Sequence, residues 1–248
     1  MNNFKLGIII PTFNEKDAIR SLSIKLTNDL KTINYFICFV DDTNDDSTIN
    51  EINKYFEKKI IKIVRGKKTS LSSSRCQASW IGFQWFIKNT DCNILIDLDA
   101  DLAHDPNDII SGLEEFKINN CDLVIASKYK KGSKVTGRSF IRRILSLIYT
   151  KICQIVFTKD ISDYSNSFRL YKREAISNLI KSKNKIYNSP VQHLDNLLFF
   201  YNNNYKIKEI SSNYTERSKG ESTIKFRDLI IYSFQFLKCI ILNKLNIS

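Results

Sequence analysis

The residues best suited to chemistry lie in one short run, Ile94-Leu95-Ile96-Asp97-Leu98-Asp99-Ala100-Asp101-Leu102-Ala103-His104-Asp105-Pro106. Its apolar start is strand-like in length and composition, and it delivers Asp99 and Asp101 at its C-terminal end. In an open α/β sheet, ligands bind just outside the carboxyl ends of strands. Two hard oxygen anions placed there suit Mg2+ or Mn2+, ions that keep room for substrate phosphates. A lone Asp-x-Asp also makes an ordinary turn that caps the following helix. Two other segments carry compatible chemistry. Pro11-Thr12-Phe13-Asn14-Glu15 follows one apolar run, and Val40-Asp41-Asp42-Thr43-Asn44-Asp45-Asp46-Ser47-Thr48 follows another. Carboxylates at adjacent strand ends accept hydrogen bonds from base N–H groups and ribose hydroxyls. Capping by Asp17 and an Asx turn over Asp41 to Ser47 are the plainer uses of the same residues.

Those groups need a scaffold that brings strand ends together. Leu6 to Ile10 reads as a buried strand ended by Pro11, followed by a helix from about Asp17 to Leu30. Tyr35 to Val40 is a second strand, Ser47 to Phe56 a second helix and Ile60 to Val64 a third strand. A helix from about Ser73 to Ile87 follows, with Ala78, Ile81, Trp85 and Phe86 as its expected buried face. The strand Asn93 to Leu98, a short helix from Pro106 and the strand Leu123 to Ala126 complete the alternation. Such a pattern predicts a mostly parallel sheet with helices on both faces. Beyond about Lys128 the pattern turns to basic amphipathic helices, near Phe140 to Phe157 and Phe226 to Leu242. The organisation expected is one catalytic domain over residues 1–225 and a C-terminal amphipathic helix over 226–248.

The 248 residues suffice for one large α/β domain, and 43% hydrophobic with 26% charged content excludes a disordered chain. None of the six cysteines forms a Cys-x-x-Cys pair, and several sit in apolar runs, so buried free thiols in a reducing compartment are expected. No signal peptide is visible at Met1 to Lys5, and no apolar stretch reaches the ~20 residues needed to span a bilayer. A cytoplasmic location, peripheral on the cytoplasmic face of a membrane, is expected. The net charge of +12 calls for an anionic partner. No helix-turn-helix, zinc finger or aromatic RNA-binding signature accompanies it, which points away from nucleic acid and toward phosphorylated small molecules or anionic lipid headgroups.

Taken in order from Ile10 to Lys225, these segments resemble the nucleotide-sugar-dependent glycosyltransferases of the GT-A fold. The closer resemblance is to the dolichyl-phosphate (polyprenyl-phosphate) mannosyltransferase branch of family 2. That branch reads V-D-D-x-S-x-D-x-T, D-A-D-L-x-H-x-P, D-x-T-S-G-F-R-x-Y and R-x-x-G-x-S-K, and this chain has matching segments in the same order. The resemblance implies that Pro11, Phe13, Glu15, Val40 and Asp42 line a nucleoside pocket. It implies that Asp99 and Asp101 hold the metal against the diphosphate, with Ala100 beside the ribose and phosphates. Lys128 takes the place of the family's Arg as a cation near phosphate. Asp163 and Arg169 match the element that shapes the acceptor side, and Arg217 matches a loop that clamps phosphates. The catalytic set implied is Asp101, Arg217, Asp163 and Arg169.

Several positions depart from the family pattern. Ala103 stands where a metal-coordinating Gln is common, leaving water to complete the shell, and Ser167 replaces the Gly of S-G-F-R. Thr223 occupies a Lys position for which Lys225 is the nearby substitute, and Ser70 to Ser74 replace a Gly-rich stretch. Asp97 adds a carboxylate where the family is apolar, either to tune the metal site or to pair with a cation. His104 and His193 read as structural rather than as zinc ligands, and Asp195 falls near a family Glu.

The resemblance implies transfer of a hexose, with inversion, from a GDP-mannose or UDP-glucose type donor to a polyprenyl or dolichyl phosphate. Extension of a surface polysaccharide on a hydroxyl acceptor, and a non-catalytic nucleotide-sugar or anionic-lipid binding module, are the alternatives. Arg138, Arg142, Arg143 and Lys151 accompany Phe140, Ile144, Leu147, Ile148 and Ile152, the pattern of a helix lying in a membrane interface. Phe226, Ile230, Phe234, Leu237, Ile241 and Leu245 share a second helical face. An anionic membrane surface would meet these faces. Packing on the catalytic domain or on a membrane-embedded partner subunit would cover them otherwise.

Overall fold

The structure, a computed structural model, describes residues 4–56, 60–64, 75–183, 186–216 and 226–244. The strands β1 (Lys5–Thr12), β2 (Asn34–Asp41), β3 (Ile60–Val64) and β4 (Ile94–Asp97) alternate with the helices α1 (Lys16–Asp29), α2 (Ser47–Tyr55) and α3 (Arg75–Asn89). Then come α4 (Asp108–Asn119), β5 (Leu123–Ser127), β6 (Lys134–Thr136), α5 (Phe140–Val156), β7 (Arg169–Lys172), α6 (Arg173–Ser182) and α7 (Val191–Asn202). The strands β8 (Ile207–Ser211) and β9 (Asn213–Thr215) and the helix α8 (Phe226–Lys244) end the described chain.

Seven strands form one sheet in the order β3-β2-β1-β4-β7-β5-β8, and β6 pairs with β9 in a small second sheet. All pairs in the large sheet are parallel except those of β7, which runs antiparallel to both β4 and β5. Parallel strands covered on both faces read as continuous apolar runs, as Leu6 to Ile10 do. Alternate side chains divide between two cores. Ile8 and Ile10 pack with Ile19 and Leu22 of α1, Ile52 of α2 and Leu113 of α4, whereas Ile9 packs with Phe83 of α3, Ile176 of α6 and Leu194 of α7.

Two glycines let α3 lie close to the sheet. A Cβ at Gly82 would fall 2.5 Å from Ile9, and one at Gly7 would fall 2.8 Å from Phe86. The buried face of α3 is centred on Ala78, Trp80, Phe83 and Phe86, while Ile81 and Trp85 sit half-buried at its margins, a rotation from the expected face. The sequence alternation stopped at β5, yet β7 and β8 belong to the main sheet. A four-residue strand that begins with Arg169 and ends with Lys172 is too short and too charged at its ends to show a period. Asp17 lies inside the first turn of α1 rather than at its cap, which is Glu15.

All six cysteines are free and buried. Among the described residues, no helix is long and apolar enough to cross a membrane. The helix α8 lies along α7, with Cys239 buried, Phe236 against Tyr149 of α5 at 5.1 Å, and Asn202 Nδ2 donating to Asn243 Oδ1 at 3.1 Å. The opposite side of α8 turns Ile230, Phe234, Leu237 and Ile241 outward, and α5 likewise exposes Phe140, Ile144, Leu147, Ile148 and Ile152. Neither predicted apolar face is covered by the described body of the protein. Phe226 and Leu245, the ends of the α8 face, lie outside the side chains described.

Candidate functional site

The strand order reverses at β1, whose neighbours β2 and β4 lie on opposite sides, and the ends of these three strands form one crevice. The end of β1 supplies Pro11 and Thr12, with Phe13 and Glu15 in the turn that follows, all but Thr12 half-buried. The end of β2 supplies Asp41 and Asp42, both buried. Thr12 Oγ1 and Thr43 Oγ1 donate to Asp41 Oδ1 at 2.8 and 2.7 Å, and the Asp42 N–H donates to the Thr12 carbonyl at 3.0 Å. Burial raises the Asp41 carboxyl against these hydroxyls. The loop also contains the Asx turn expected from the sequence, with the Ser47 N–H donating to Asp45 Oδ1 at 2.9 Å. Val40, expected in the nucleoside pocket, is fully buried in the α3-side core instead.

The end of β4 supplies Asp97, Asp99, Ala100 and Asp101. Leu102, next to Asp101, adopts φ +57°, a left-handed conformation costly for a branched L-residue and common where a site aims its side chains. Asp101 Oδ1 accepts the Ala103 N–H at 3.0 Å, which fixes the same turn. Asp99 is met from two sides. Arg75 Nε, from the first residue of α3, donates to its Oδ1, and Ser167 Oγ donates to its Oδ2 at 3.0 Å. Burial opposes ionisation of Asp99, but the Arg75 guanidinium leads the groups that outweigh it and hold its pKa down at about 2. Asp97 pairs with a cation, and the cation is Arg75. Arg75 Nη1 and Nη2 donate to the two Asp97 oxygens at 3.1 and 3.0 Å, and Ser79 Oγ donates to Asp97 Oδ1 at 2.9 Å. Burial raises the Asp97 carboxyl and Arg75 pulls against it; the bidentate geometry is that of an ionised carboxylate.

The antiparallel direction of β7 explains how Ser167 arrives. Arg169 stands opposite both Asp97 and Ile125, so the turn before β7 lies at the carboxyl ends of β4 and β5. Asp163 folds that turn: its Oδ1 accepts the Ser165 and Asn166 N–H groups at 3.0 Å each, and its Oδ2 accepts the Lys128 N–H and ammonium at 3.0 Å each. Burial opposes ionisation of Asp163, and Lys128 leads the groups that keep its pKa low; burial lowers Lys128 in turn. Arg169 is fully buried, donating to the His193 carbonyl at 2.6 Å and the Tyr164 carbonyl at 3.2 Å. The catalytic assignment of Asp163 and Arg169 is corrected on this point. Both are buried and tied to their neighbours, Asp163 by Lys128 and Arg169 by two carbonyls, so they position the turn that carries Ser167.

Lys128 and Arg138 lie over the Tyr214 ring at 5.7 and 6.0 Å, and Tyr214 and Phe168 pack on His104 at 5.1 and 5.5 Å. Burial lowers His104 to about 4, so the ring is neutral, and its Nδ1 is buried without a hydrogen-bond partner. His193 is also buried, with Nε2 3.8 Å from Cys76 Sγ, and Asp195 pairs with Lys183. Both histidines are buried, so His193 is packed rather than at the surface. The Thr215 N–H donates to the Ala103 carbonyl at 2.8 Å, tying β9 to the Asp99–Asp101 loop. Arg217, Thr223, Lys225 and Ser70 to Ser74 lie outside the described residues.

Glu15, Asp42, Asp99, Ala100 and Asp101 thus lie at or just after the carboxyl ends of neighbouring strands, with Lys128 buried against Asp163. The structure adds Arg75, Ser167, Thr12 and Thr43, which sequence reasoning missed. Arg75 left no local signal, since one Arg at a helix start is ordinary. Ser167 was visible only as a departure from glycine.

A model of glycosyl transferase family 2 matches residues 7–180. The chain belongs to this family. It is 28% identical over 232 residues to a dolichol-phosphate mannosyltransferase of Pyrococcus furiosus, an alignment covering 92% of this chain and 61% of that protein. The chain therefore spans about three fifths of that relative's length. A glucosyl-3-phosphoglycerate synthase from Mycobacterium tuberculosis, in complex with Mn2+, UDP and glucosyl-3-phosphoglycerate, has the same fold, with TM-score 0.68 at 13% identity over 97% of this chain and 80% of that one. The same synthase with Mn2+, UDP-glucose and phosphoglyceric acid gives TM-score 0.66 at 14% identity, over 99% of this chain and 81% of that one. The GT-A architecture expected from the sequence is the fold observed.

Proposed function

We propose that this family 2 member is a polyprenyl-phosphate glycosyltransferase that moves a hexose from a nucleotide-diphosphate sugar to a lipid phosphate. Asp99 and Asp101 would hold Mg2+ or Mn2+. Two hard oxygen donors, one ionised far below neutral pH, suit such an ion. Donor phosphates and water would supply the ion's other positions. When bound, the ion supplies charge that stabilises the departing nucleoside diphosphate. Glu15 and Asp42 offer acceptors for base and ribose, and Arg217 is assigned to the phosphates by resemblance. A phosphate acceptor has a second pKa near ~6, so the nucleophile is already an anion at neutral pH and needs no strong general base.

The observation that carries the lipid acceptor over a hydroxyl acceptor is the outward apolar face of α5 and α8. Exposed apolar surface rimmed by Arg138, Arg142, Arg143, Lys151 and Lys238 is the composition of an interfacial element meeting anionic headgroups. The helix α5 is also tied to the site. Tyr129 OH, next to Lys128, donates to Ser146 of α5 at 2.6 Å, and Arg142 of α5 pairs with Glu216. The 28% identical dolichol-phosphate mannosyltransferase supports the same acceptor class. In this reading residues 226–248 serve as a peripheral membrane anchor of a catalytic domain over 1–225, on the cytoplasmic face.

Incubation with radiolabelled nucleotide sugar and polyprenyl phosphate tests the proposal. The expected product is chloroform-soluble and labile to mild acid. Label found only in a water-soluble or polymeric product assigns a hydroxyl acceptor, and no transfer from any donor assigns a binding module.

A further inference from the structure

Asp99 has a positive partner within the chain itself, the Arg75 guanidinium. The guanidinium divides its donors: Nη1 and Nη2 are spent on Asp97 at 3.1 and 3.0 Å, and Nε alone is given to Asp99 Oδ1. Asp97 is buried and further fixed by Ser79 Oγ at 2.9 Å, whereas the Asp99 side chain keeps a quarter of its surface open. The firm end of the pair is therefore Asp97, and the end facing the crevice is Asp99. A cation binding Asp99 meets a like charge, the Arg75 guanidinium, at Oδ1.

We propose that Arg75 is a resident counter-ion that competes with the divalent cation for Asp99, and that Asp97 is the anchor that retains Arg75 when Asp99 is claimed. The proposal rests on the reading of Asp99 and Asp101 as metal ligands. It makes Asp97 and Arg75 positioning residues that set how tightly the site takes its ion. It also accounts for a carboxylate that the metal itself does not require. One carboxylate beside Arg75 would leave the cation nowhere to stay when the ion arrives.

The competition is separable from net charge. Removing Arg75 alone makes the site one unit more negative, but Arg75→Gln with Asp97→Asn leaves the local sum unchanged. Mn2+ titrated into the purified chain, with free ion read by electron paramagnetic resonance, measures affinity without turnover. The paired variant is expected to bind Mn2+ about fivefold tighter than the wild type, since a charge-assisted hydrogen bond no longer has to be broken. Asp97→Asn alone is expected to bind about fivefold weaker, because Arg75 is left with Asp99 as its anionic partner. A residue that merely props up the fold would shift both variants in the same direction or neither.

A paired variant within twofold of wild type, or Asp97→Asn that binds tighter, overturns the proposal. If the paired variant fails to melt cooperatively, Asp97→Glu decides: it keeps the charge but breaks the bidentate pair, weaker Mn2+ binding is expected, and unchanged or tighter binding overturns the proposal. Failure of the underlying reading looks different: wild type and Asp99→Ala would both bind no Mn2+, and the metal assignment would fall together with the role of Arg75.

Discussion

The strand-end crevice and the α5–α8 face depart from the ordinary partition of a globular protein in opposite directions. Beneath the strand ends, charged groups are inside: Asp163 and Arg169 are fully buried, and Asp97 is 3% exposed. On the helices, apolar groups are outside: Phe140 is 76% exposed and Phe234 70%. The first arrangement is stable because Asp97 and Asp163 meet Arg75 and Lys128, and Arg169 donates to two backbone carbonyls. The second has no covering apolar surface among the described residues. Under the proposed function, the buried charges frame the reacting groups and the exposed apolar faces meet the lipid acceptor.

The largest expected effect falls on the crevice. Asp101→Ala should lower transfer by about a thousandfold or more while the melt stays cooperative, because charge developing on the diphosphate loses a partner. Full activity of that variant, or of the wild type in excess chelator, would remove the metal from the site.

A pH effect sharpens the same side of the contrast. His104 is neutral in the folded chain down to about 4 and takes a proton in the unfolded chain at 6.5. Between those values the unfolded state binds more protons, so stability falls as pH drops from 6.5 toward 4. The loss amounts to about 3 kcal/mol at the low end. Denaturant melts at pH 7 and pH 4.5 should show a difference that shrinks in His104→Gln, and an equal difference in both proteins would assign it to other groups.

The exposed face is tested next. Replacing Phe234 and Leu237 by Ser should cut co-sedimentation with anionic liposomes by about tenfold, because apolar area otherwise taken into the interface is lost. The melt should not fall, since both side chains already face solvent. Removal of residues after Arg227 should go further, and unchanged binding of the truncated chain would move the attachment to α5. The smallest effect is Ser167→Gly, which restores the family's residue. Loss of one hydrogen bond to Asp99 should weaken Mn2+ binding by no more than about fivefold. A loss of a hundredfold would make Ser167 a ligand in its own right.

The amino-acid sequence by itself determined the parts that are local. The apolar runs of β1, β2 and β4, the Asp99–Asp101 pair at a strand end and the amphipathic faces of α5 and α8 are all legible, because burial and periodicity are written residue by residue. Only the tertiary structure decided who meets whom. Arg75 reaches Asp97 across 22 positions and Ser167 reaches Asp99 across 68, and neither pairing leaves a trace in spacing. Both follow from topology: α3 settles closely on β1, and β7 enters the sheet antiparallel, which places its first residues at the carboxyl ends of its neighbours. The same insertion took Asp163 and Arg169 out of the crevice and made them the frame of the turn. A strand four residues long cannot announce its direction, because direction is set by the partners on either side and not by its own side chains.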